Sequence, residues 1–462
     1  MTTLTEKELV QKYNVPGPRY TSYPTAVQFQ EMDTDDTYNR ILNDIILSTE
    51  IRKVKNLSLY FHIPFCYSLC WYCGCTKIIT KDSDRGDAYL DYLEREIEMI
   101  QKWLNPQSNV VQIHFGGGTP TFLRPDQLRR LGEIINSRFK ISDEVEFSVE
   151  IDPGRCTRQH IEALREAGCN RASLGVQDTN ADVQEAIHRV QPYEQTESVT
   201  NMLRDAGING INFDLIYGLP RQTPETFRQT LSDVMQLDPD RLAVYSYAHL
   251  PSLMPAQKLL NESEFPATGQ KLEMLMLARR MLPEQGMRFI GMDHFAKEDD
   301  SLSLALDNGT LQRNFQGYST CADSETIAFG MSGISQLENI YFQNSKDLSV
   351  YYQSLNHQKY PIAKELKLTR DDKIRRDAIM QIMCRADLKF EPFNKKWNII
   401  FDSYFQKELK MLKKMEEDQF IEIMPDKINI TGSGRLFLRN IAMVFDAYLS
   451  RQHEEIRYSK TV

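Results

Sequence analysis

The 462-residue sequence lacks any apolar run near the roughly 20 residues a membrane helix requires, so no membrane span is expected. It also lacks a surplus of positive charge: 55 Lys and Arg stand against 64 Asp and Glu, a net −9 at pH 7. Bulk nucleic-acid binding, which needs a concentrated basic surface, is thereby set aside. An anionic small substrate is not, because a few placed arginines suffice for it. The opening "MTTLTEKELVQKYNV" has neither the apolar core of a secretory signal nor an Arg-rich, acid-poor transit composition, so a cytoplasmic protein is expected. Low-complexity segments are absent. The 41% hydrophobic content reads as a soluble globular chain long enough for two or three domains. Cysteine is sparse over most of the chain. Of eight, Cys156, Cys169, Cys321 and Cys384 are scattered and read as small buried hydrophobes, since a reducing cytosol disfavours structural disulfides. The other four fall within ten positions, in "HIPFCYSLCWYCGC" (62–75).

From about 56 to 295, short β-rich apolar runs precede helical stretches. The runs are "LSLYFHI" (57–63), "VVQIHFG" (110–116), "VEFSVEI" (145–151), "RASLGVQ" (171–177), "INFDLIYG" (211–218) and "RLAVYSYA" (241–248). Between them lie helical patterns such as 87–104, 125–139 and 224–237. Strands alternating with helices at this spacing predict an α/β fold of parallel βα units, a partial barrel or a doubly wound sheet. Either places ligands at the C-terminal ends of the strands. Three segments are expected: an irregular N-terminal arm (1–55), the βα region (56–345) and a mostly helical C-terminal domain (346–462). Within the last, 371–385 and 405–420 read as amphipathic helices, and 420–449 as a hairpin and helix resembling a winged-helix module.

Cys66, Cys70 and Cys73 form C-x3-C-x2-C directly after the first predicted strand. Thiolates are the usual ligands of iron–sulfur clusters. Three of them hold three irons of a [4Fe–4S] cube and leave the fourth iron open to a chelating ligand. S-adenosylmethionine (SAM) suits that opening through its amino and carboxylate groups. An electron from the cluster then cleaves the sulfonium and frees a 5′-deoxyadenosyl radical. Two alternatives stay open. A zinc site could use four cysteines, although its ligands usually come as separated pairs. A closed cluster could take Cys75 as fourth ligand, although Cys75 lies only two positions after Cys73. Tyr72, between two ligands, either stacks on an adenine or covers the cluster.

"FGGGTP" (115–120) follows the second strand, where glycines let the backbone approach a ligand closely. Gly117, Gly118 and Thr119 are its candidate contacts. Glu150 ends the third strand and is placed to accept hydrogen bonds from ribose hydroxyls. Gln177, Arg189 and Asp214 fall on or just after later strands. His62, His249 and His294 lie near strand ends, where structural and functional histidines are equally common.

These motifs resemble the radical SAM superfamily and, within it, the oxygen-independent coproporphyrinogen III oxidases (coproporphyrinogen dehydrogenases). The similar stretches are "PGPRYTSYPTA" (16–26), 62–75, "HFGGGTPTFL" (114–123), "DLIYGLPRQTPETF" (214–227), "GMDHFA" (291–296), "RNFQGY" (313–318), "LTRDDKIRRD" (368–377) and "GRLFLRNIAMVFDAYL" (434–449). The resemblance implies a partial (βα)6 barrel with an N-terminal arm and a helical, winged-helix-like C-terminal domain. It implies oxidative decarboxylation of two propionates of coproporphyrinogen III to vinyl groups, giving protoporphyrinogen IX in haem biosynthesis. It implies a [4Fe–4S] cluster on Cys66, Cys70 and Cys73, with Cys75 as a non-ligand. It further implies two SAM molecules. The first would touch Tyr60, Gly117, Glu150 and Ile334, and the second Tyr72, Gly118, Thr119, Gln177, Arg189, Asp214 and Ala248. Thr76 stands where the family pattern has Asn, Tyr72 where it has Phe, and "CADSETIAFG" (321–330) lacks the pattern's second Asp followed by Leu.

A substrate with four propionates calls for cationic partners, and Arg19, Arg313 and Arg376 are the candidates. The reaction also needs a reducing electron donor such as flavodoxin or ferredoxin, and a monomer is expected. The competing readings are a haem-binding chaperone and a radical SAM methyltransferase acting on haem. Cys75 and the "PGPRYTSYP" arm favour the oxidase.

Overall fold

The computed structural model describes residues 6–32, 39–41, 43–44, 56–321, 324–385, 387–449 and 458–461. They gather into two compact units, one of residues 29–287 with 323–367 and the other of 1–28, 288–322 and 368–462. The segments expected from the sequence run along the chain; the compact units are drawn across it.

All six anticipated strands form in the larger unit. They are β1 (Asn56–Ile63), β2 (Asn109–Gly117), β3 (Lys140–Ile151), β4 (Arg171–Gln177), β5 (Gly210–Tyr217) and β6 (Arg241–Ser246). Each pairs in parallel with the next. A strand shows alternate residues to opposite faces, and these strands sort their chemistry accordingly. One face carries Leu59, Phe61 and Ile63 of β1, Phe115 of β2, Phe147 and Val149 of β3, Leu174 of β4 and Phe213 of β5, all buried. The other face carries Tyr60, His114, Ser148, Glu150, Ser173, Asn212 and Asp214. Register sets these side by side: Tyr60 opposite His114, His114 opposite Ser148, Glu150 opposite Ser173, and Ser173 opposite Asn212. The fold thus builds a polar row on one face of a sheet whose other face is greasy.

The intervening helices follow from apolar spacing and end signals. In α1 (Arg85–Gln101), Leu90, Leu93, Ile97 and Ile100 recur at helical intervals and are buried. Next come α2 (Pro125–Arg138), α3 (Arg158–Ala167), α4 (Tyr193–Asp205), α5 (Pro224–Gln236) and α6 (Thr268–Glu284). Thr157 caps α3 and Thr223 caps α5 through their hydroxyls. Gly132 permits α2 to approach α3, since a Cβ there would lie 2.6 Å from that of Ala167.

A further parallel strand, β7 (Glu325–Phe329), lies beside β1 and was not anticipated. Beyond it run antiparallel β8 (Ile334–Gln336), β9 (Ile340–Asn344) and β10 (Ile362–Lys367), then the short strand Gln30–Glu31. The order does not return on itself, so the sheet is open, as a partial barrel is.

The smaller unit is mostly helical, with helices Glu6–Tyr13, Arg370–Arg385, Phe390–Trp397, Gln406–Glu417 and Leu438–Met443. A small antiparallel sheet places Lys427–Ile430 between Asp387–Lys389 and Ile421–Ile423. Phe390, Phe393, Phe401, Phe405 and Phe445 form its aromatic core. The stretch "PGPRYTSYPTA" is held within this unit by buried hydrogen bonds. Arg439 Nε donates to Pro18 O at 2.9 Å and Tyr20 Oη to Asp446 at 2.9 Å. Among the described residues, no helix is long and apolar enough to cross a membrane.

Candidate active site

The cysteine loop leaves β1 at Ile63 and is tied to the glycine run by two backbone hydrogen bonds. Gly118 N donates to Ile63 O at 2.8 Å and Thr119 N to Phe65 O at 2.9 Å. This close return needs glycine: a Cβ on Gly118 would lie 2.7 Å from the carbonyl carbon of Pro64, which is backbone and cannot swing aside. Gly117 has φ +112°, a conformation that L side chains rarely adopt, and a Cβ there would strike the His62 ring.

Cys66, Cys70 and Cys73 are half-buried and Cys75 is exposed. Cys66 Sγ lies 3.4 Å from Thr119 Oγ1, and Arg189 Nη1 donates to Cys70 Sγ at 3.6 Å. Lys77 Nζ donates to the carbonyls of Cys73 and Cys75 at 3.2 and 3.3 Å, which fixes the loop's far end. Burial pushes the Cys66 thiol up to about 11 and the Cys70 thiol up as well. A hydrogen bond shared with Cys75 holds Cys73 down, at about 6. Among the described residues no three Cys, His, Asp or Glu side chains converge on one point, as a single-ion site requires. A cube in which each thiolate takes its own iron does not need that convergence. Three soft sulfur ligands on one glycine-braced loop, with Thr119 Oγ1 beside one sulfur and Arg189 donating to another, fit such a cluster.

Around this loop the polar row forms a connected network. Gly117 N donates to Glu150 Oε2 at 3.1 Å, and His114 Nε2 lies 3.3 Å from Glu150 Oε1. His114 stacks on Tyr60, whose hydroxyl meets His62 Nδ1 at 3.1 Å. His62 Nε2 reaches Thr76 O at 3.0 Å and Ser332 Oγ at 3.3 Å. Burial lowers His62 to about 4, so near neutral pH its ring is uncharged and orients Tyr60 rather than supplying charge. The His62 contact does not depend on the side chain at Thr76, because His62 uses the backbone carbonyl.

A second group surrounds Cys70. Arg189 Nη2 donates to Asp152 Oδ1 and Gly175 O, both at 3.0 Å. Gln177 ends β4 with φ +66°, a strained conformation for a residue with a side chain, and a Cβ on Gly175 would meet both Gln177 and Arg189. Asp214 accepts from Ser173 Oγ at 2.7 Å and Asn212 Nδ2 at 3.0 Å; burial raises its carboxyl to about 6. Tyr72 and Ala248 are joined by Gln257, whose Nε2 donates to both of their carbonyls at 3.1 Å. Ile334 begins β8, directly after the 330–333 turn that contacts His62.

The structure therefore brings Gly117 and Glu150 into one hydrogen-bonded cluster, which Tyr60 joins by stacking on His114, and Cys70 and Arg189 into another, with Gln177 nearby at the end of β4. Cys66 and Thr119 form a third contact. His249 instead pairs with Tyr247 and Glu262. Sequence reasoning did not identify His114, Asp152 or Gln257. His114 and Asp152 flank motifs already singled out, whereas nothing local marks Gln257.

The chain is similar to known proteins over nearly its whole length. Residues 60–234 match the radical SAM superfamily and residues 368–437 the HemN C-terminal domain. Oxygen-independent coproporphyrinogen III oxidase of Escherichia coli K12 is 42% identical over 454 residues, 98% of each chain. The protein so named from Pseudomonas aeruginosa PAO1 is 43% identical over 460 residues, 99% of this chain and 98% of that one. The solved structure of coproporphyrinogen III oxidase (HemN) from E. coli, a radical SAM enzyme, superposes with a TM-score of 0.90 at 40% identity. It covers 97% of this chain and all of that one.

Proposed function

The chain belongs to the oxygen-independent coproporphyrinogen III oxidase family of the radical SAM superfamily, and from that premise we propose that it converts coproporphyrinogen III to protoporphyrinogen IX without oxygen. The observation that carries the reading is the junction of a three-thiol loop with a glycine cradle through Gly118 and Thr119, beside Glu150 and Asp214 at the strand ends.

When bound, the family's [4Fe–4S] cluster and SAM would supply one-electron chemistry for removing a hydrogen atom from the propionate carbon next to the pyrrole, with carbon dioxide released and the remaining electron passed to an external one-electron acceptor. The chain's own residues hold and shield. Cys66, Cys70 and Cys73 hold the cluster, and Arg189 steadies Cys70. One SAM lies against Tyr60, Gly117, Glu150 and Ile334. Glu150 keeps its Oε2 fixed by Gly117 and presents a part-exposed carboxylate to ribose hydroxyls. A second SAM lies against Tyr72, Gly118, Thr119, Gln177, Arg189, Asp214 and Ala248. The protein acts as a cytoplasmic monomer and receives its electron from a small donor such as reduced flavodoxin or ferredoxin.

The test is anaerobic turnover. Reconstituted protein, reductant and SAM should convert coproporphyrinogen III to protoporphyrinogen IX, with two molecules of 5′-deoxyadenosine per product. Tight haem binding without decarboxylation would replace this reading with a haem chaperone.

A further inference from the structure

Arg189 gives one nitrogen to a cysteine and another to three oxygens. Its Nη1 donates to Cys70 Sγ at 3.6 Å. Its Nη2 donates to Asp152 Oδ1 and Gly175 O, both at 3.0 Å, and to Gln191 Oε1 at 3.4 Å. The side chains of Arg189 and Asp152 are 14% and 22% exposed, so solvent screens the pair little. All of these residues belong to the larger unit.

The three acceptors are themselves held. Asp152 Oδ1 also accepts from Gly154 N at 3.1 Å, and Gly175 lies within β4. Gln191 Nε2 donates to Thr196 Oγ1 at 2.9 Å, which leaves its Oε1 turned to Arg189. Gln184, 4% exposed, clamps the same loop: its Oε1 accepts from Gln191 N at 2.9 Å and its Nε2 donates to Gln191 O at 2.7 Å. The cysteine loop is stitched to this segment on both sides of Cys70. Trp71 N donates to Ile187 O at 3.1 Å, His188 Nδ1 donates to Leu69 O at 2.9 Å, and the Trp71 and His188 rings stack at 5.1 Å. A loop already fastened by those bonds does not need another to a sulfur, which is a weak acceptor.

Charge and hydrogen bonds at the sulfurs set how readily an iron–sulfur cluster takes up an electron. A cation at one ligand sulfur favours the reduced cluster, and a carboxylate behind that cation opposes it. We propose that Arg189 and Asp152 together set the reduction potential of the cluster held by Cys66, Cys70 and Cys73, and that Gln191 and Gln184 are positioning residues that keep Nη1 on the Cys70 sulfur. The inference rests on the cluster assignment made under the proposed function.

The test is a potentiometric titration of the reconstituted full-length protein without SAM or substrate, read from the electron paramagnetic resonance signal of the reduced cluster. Variants are compared at equal iron and sulfide content. Arg189→Met should lower the potential by at least about 59 mV, a tenfold shift in the one-electron reduction equilibrium. Asp152→Asn, which keeps an oxygen acceptor and loses the charge, should raise it. Gln191→Leu should lower it by a smaller amount in wild type and leave it unchanged in Arg189→Met, the sign that it acts through that arginine. An Arg189→Met potential equal to that of wild type overturns the proposal, and so does an Asp152→Asn shift that is absent or downward. A Gln191→Leu shift that is absent, or equal in the two backgrounds, strikes out its positioning role. If Arg189→Met takes up no cluster, Asp152→Asn decides alone: a raised potential supports the proposal and an unchanged one refutes it. A wild type that holds the cluster but never decarboxylates coproporphyrinogen III sinks the oxidase reading and leaves this inference standing, whereas a wild type that takes up no cluster sinks both.

Discussion

Glu96 offers a sharp test of how the sheet's edge is held together. It lies in the middle of α1, is 1% exposed, and accepts three hydrogen bonds. Gly330 N and Tyr351 Oη donate to Oε2 at 2.7 and 2.6 Å, and Asn344 Nδ2 to Oε1 at 2.7 Å. Tyr89, two turns earlier, donates to His62 O and receives Met331 N. The two side chains therefore clamp the 330–333 turn, which leads to Ile334 and contacts His62. Burial raises Glu96 from 4.5 to about 7 despite the three donors.

The sign follows from proton counting. Between pH 4.5 and 7 the folded protein holds a proton that the unfolded chain has released, so stability is fullest below 4.5 and is lost as pH rises through 7. The full shift corresponds to about 3 kcal/mol. Glu96→Gln does not titrate, and its amide turns a donor toward a donor, which costs about 1–3 kcal/mol at every pH. Wild type should therefore exceed the variant in stability at pH 5, and the gap should shrink by about 2–3 kcal/mol by pH 8. Urea denaturation of the cluster-free protein across that range measures the gap, and titrations common to both proteins cancel. A gap independent of pH would show that the donors overcome burial and keep Glu96 ionised throughout, refuting the argument.

Three further outcomes are expected. Cys70→Ser should lose cluster absorbance and methionine release together; full iron and sulfide content in that variant would remove Cys70 from the ligand set. Gly118→Ala should abolish SAM binding, because the added methyl meets the Pro64 backbone at 2.7 Å. Gly269→Ala, with nothing within 4 Å, should raise stability by about 0.5–1 kcal/mol and serves as its control; equal SAM affinity in the two variants would contradict the cradle. Asp214, raised to about 6, should make SAM affinity fall as pH drops below 6 in wild type but not in Asp214→Asn. Parallel pH profiles for the two proteins would take Asp214 out of the binding site.

The sequence announced the six strands because each is a short β-rich run whose alternate residues supply the apolar face, and helical stretches lay between the runs. It did not announce β7, "ETIAF", although all five residues are buried, because a run that begins Glu-Thr carries no strong apolar signature. Likewise the polar start of β3, 140–144, joins the strand through pairing with β2 and not through its own composition. Residues 288–321 fold with segments from both chain ends, a long-range choice that local pattern does not encode. The site divides along the same line. Cys66, Cys70, Cys73 and the glycine run were legible because their chemistry requires those residue types at that spacing. Glu96 left a readable trace, an acid on the apolar stripe between Leu93 and Ile97, where an unpartnered charge could not remain. Gln257 left none: its role is to join the carbonyls of Tyr72 and Ala248, which only the folded sheet brings within 3.1 Å of one amide. Motifs thus mark the atoms that meet a cofactor. The residues that aim those atoms are set by register and packing, and substitutions such as Glu96→Gln must reveal them.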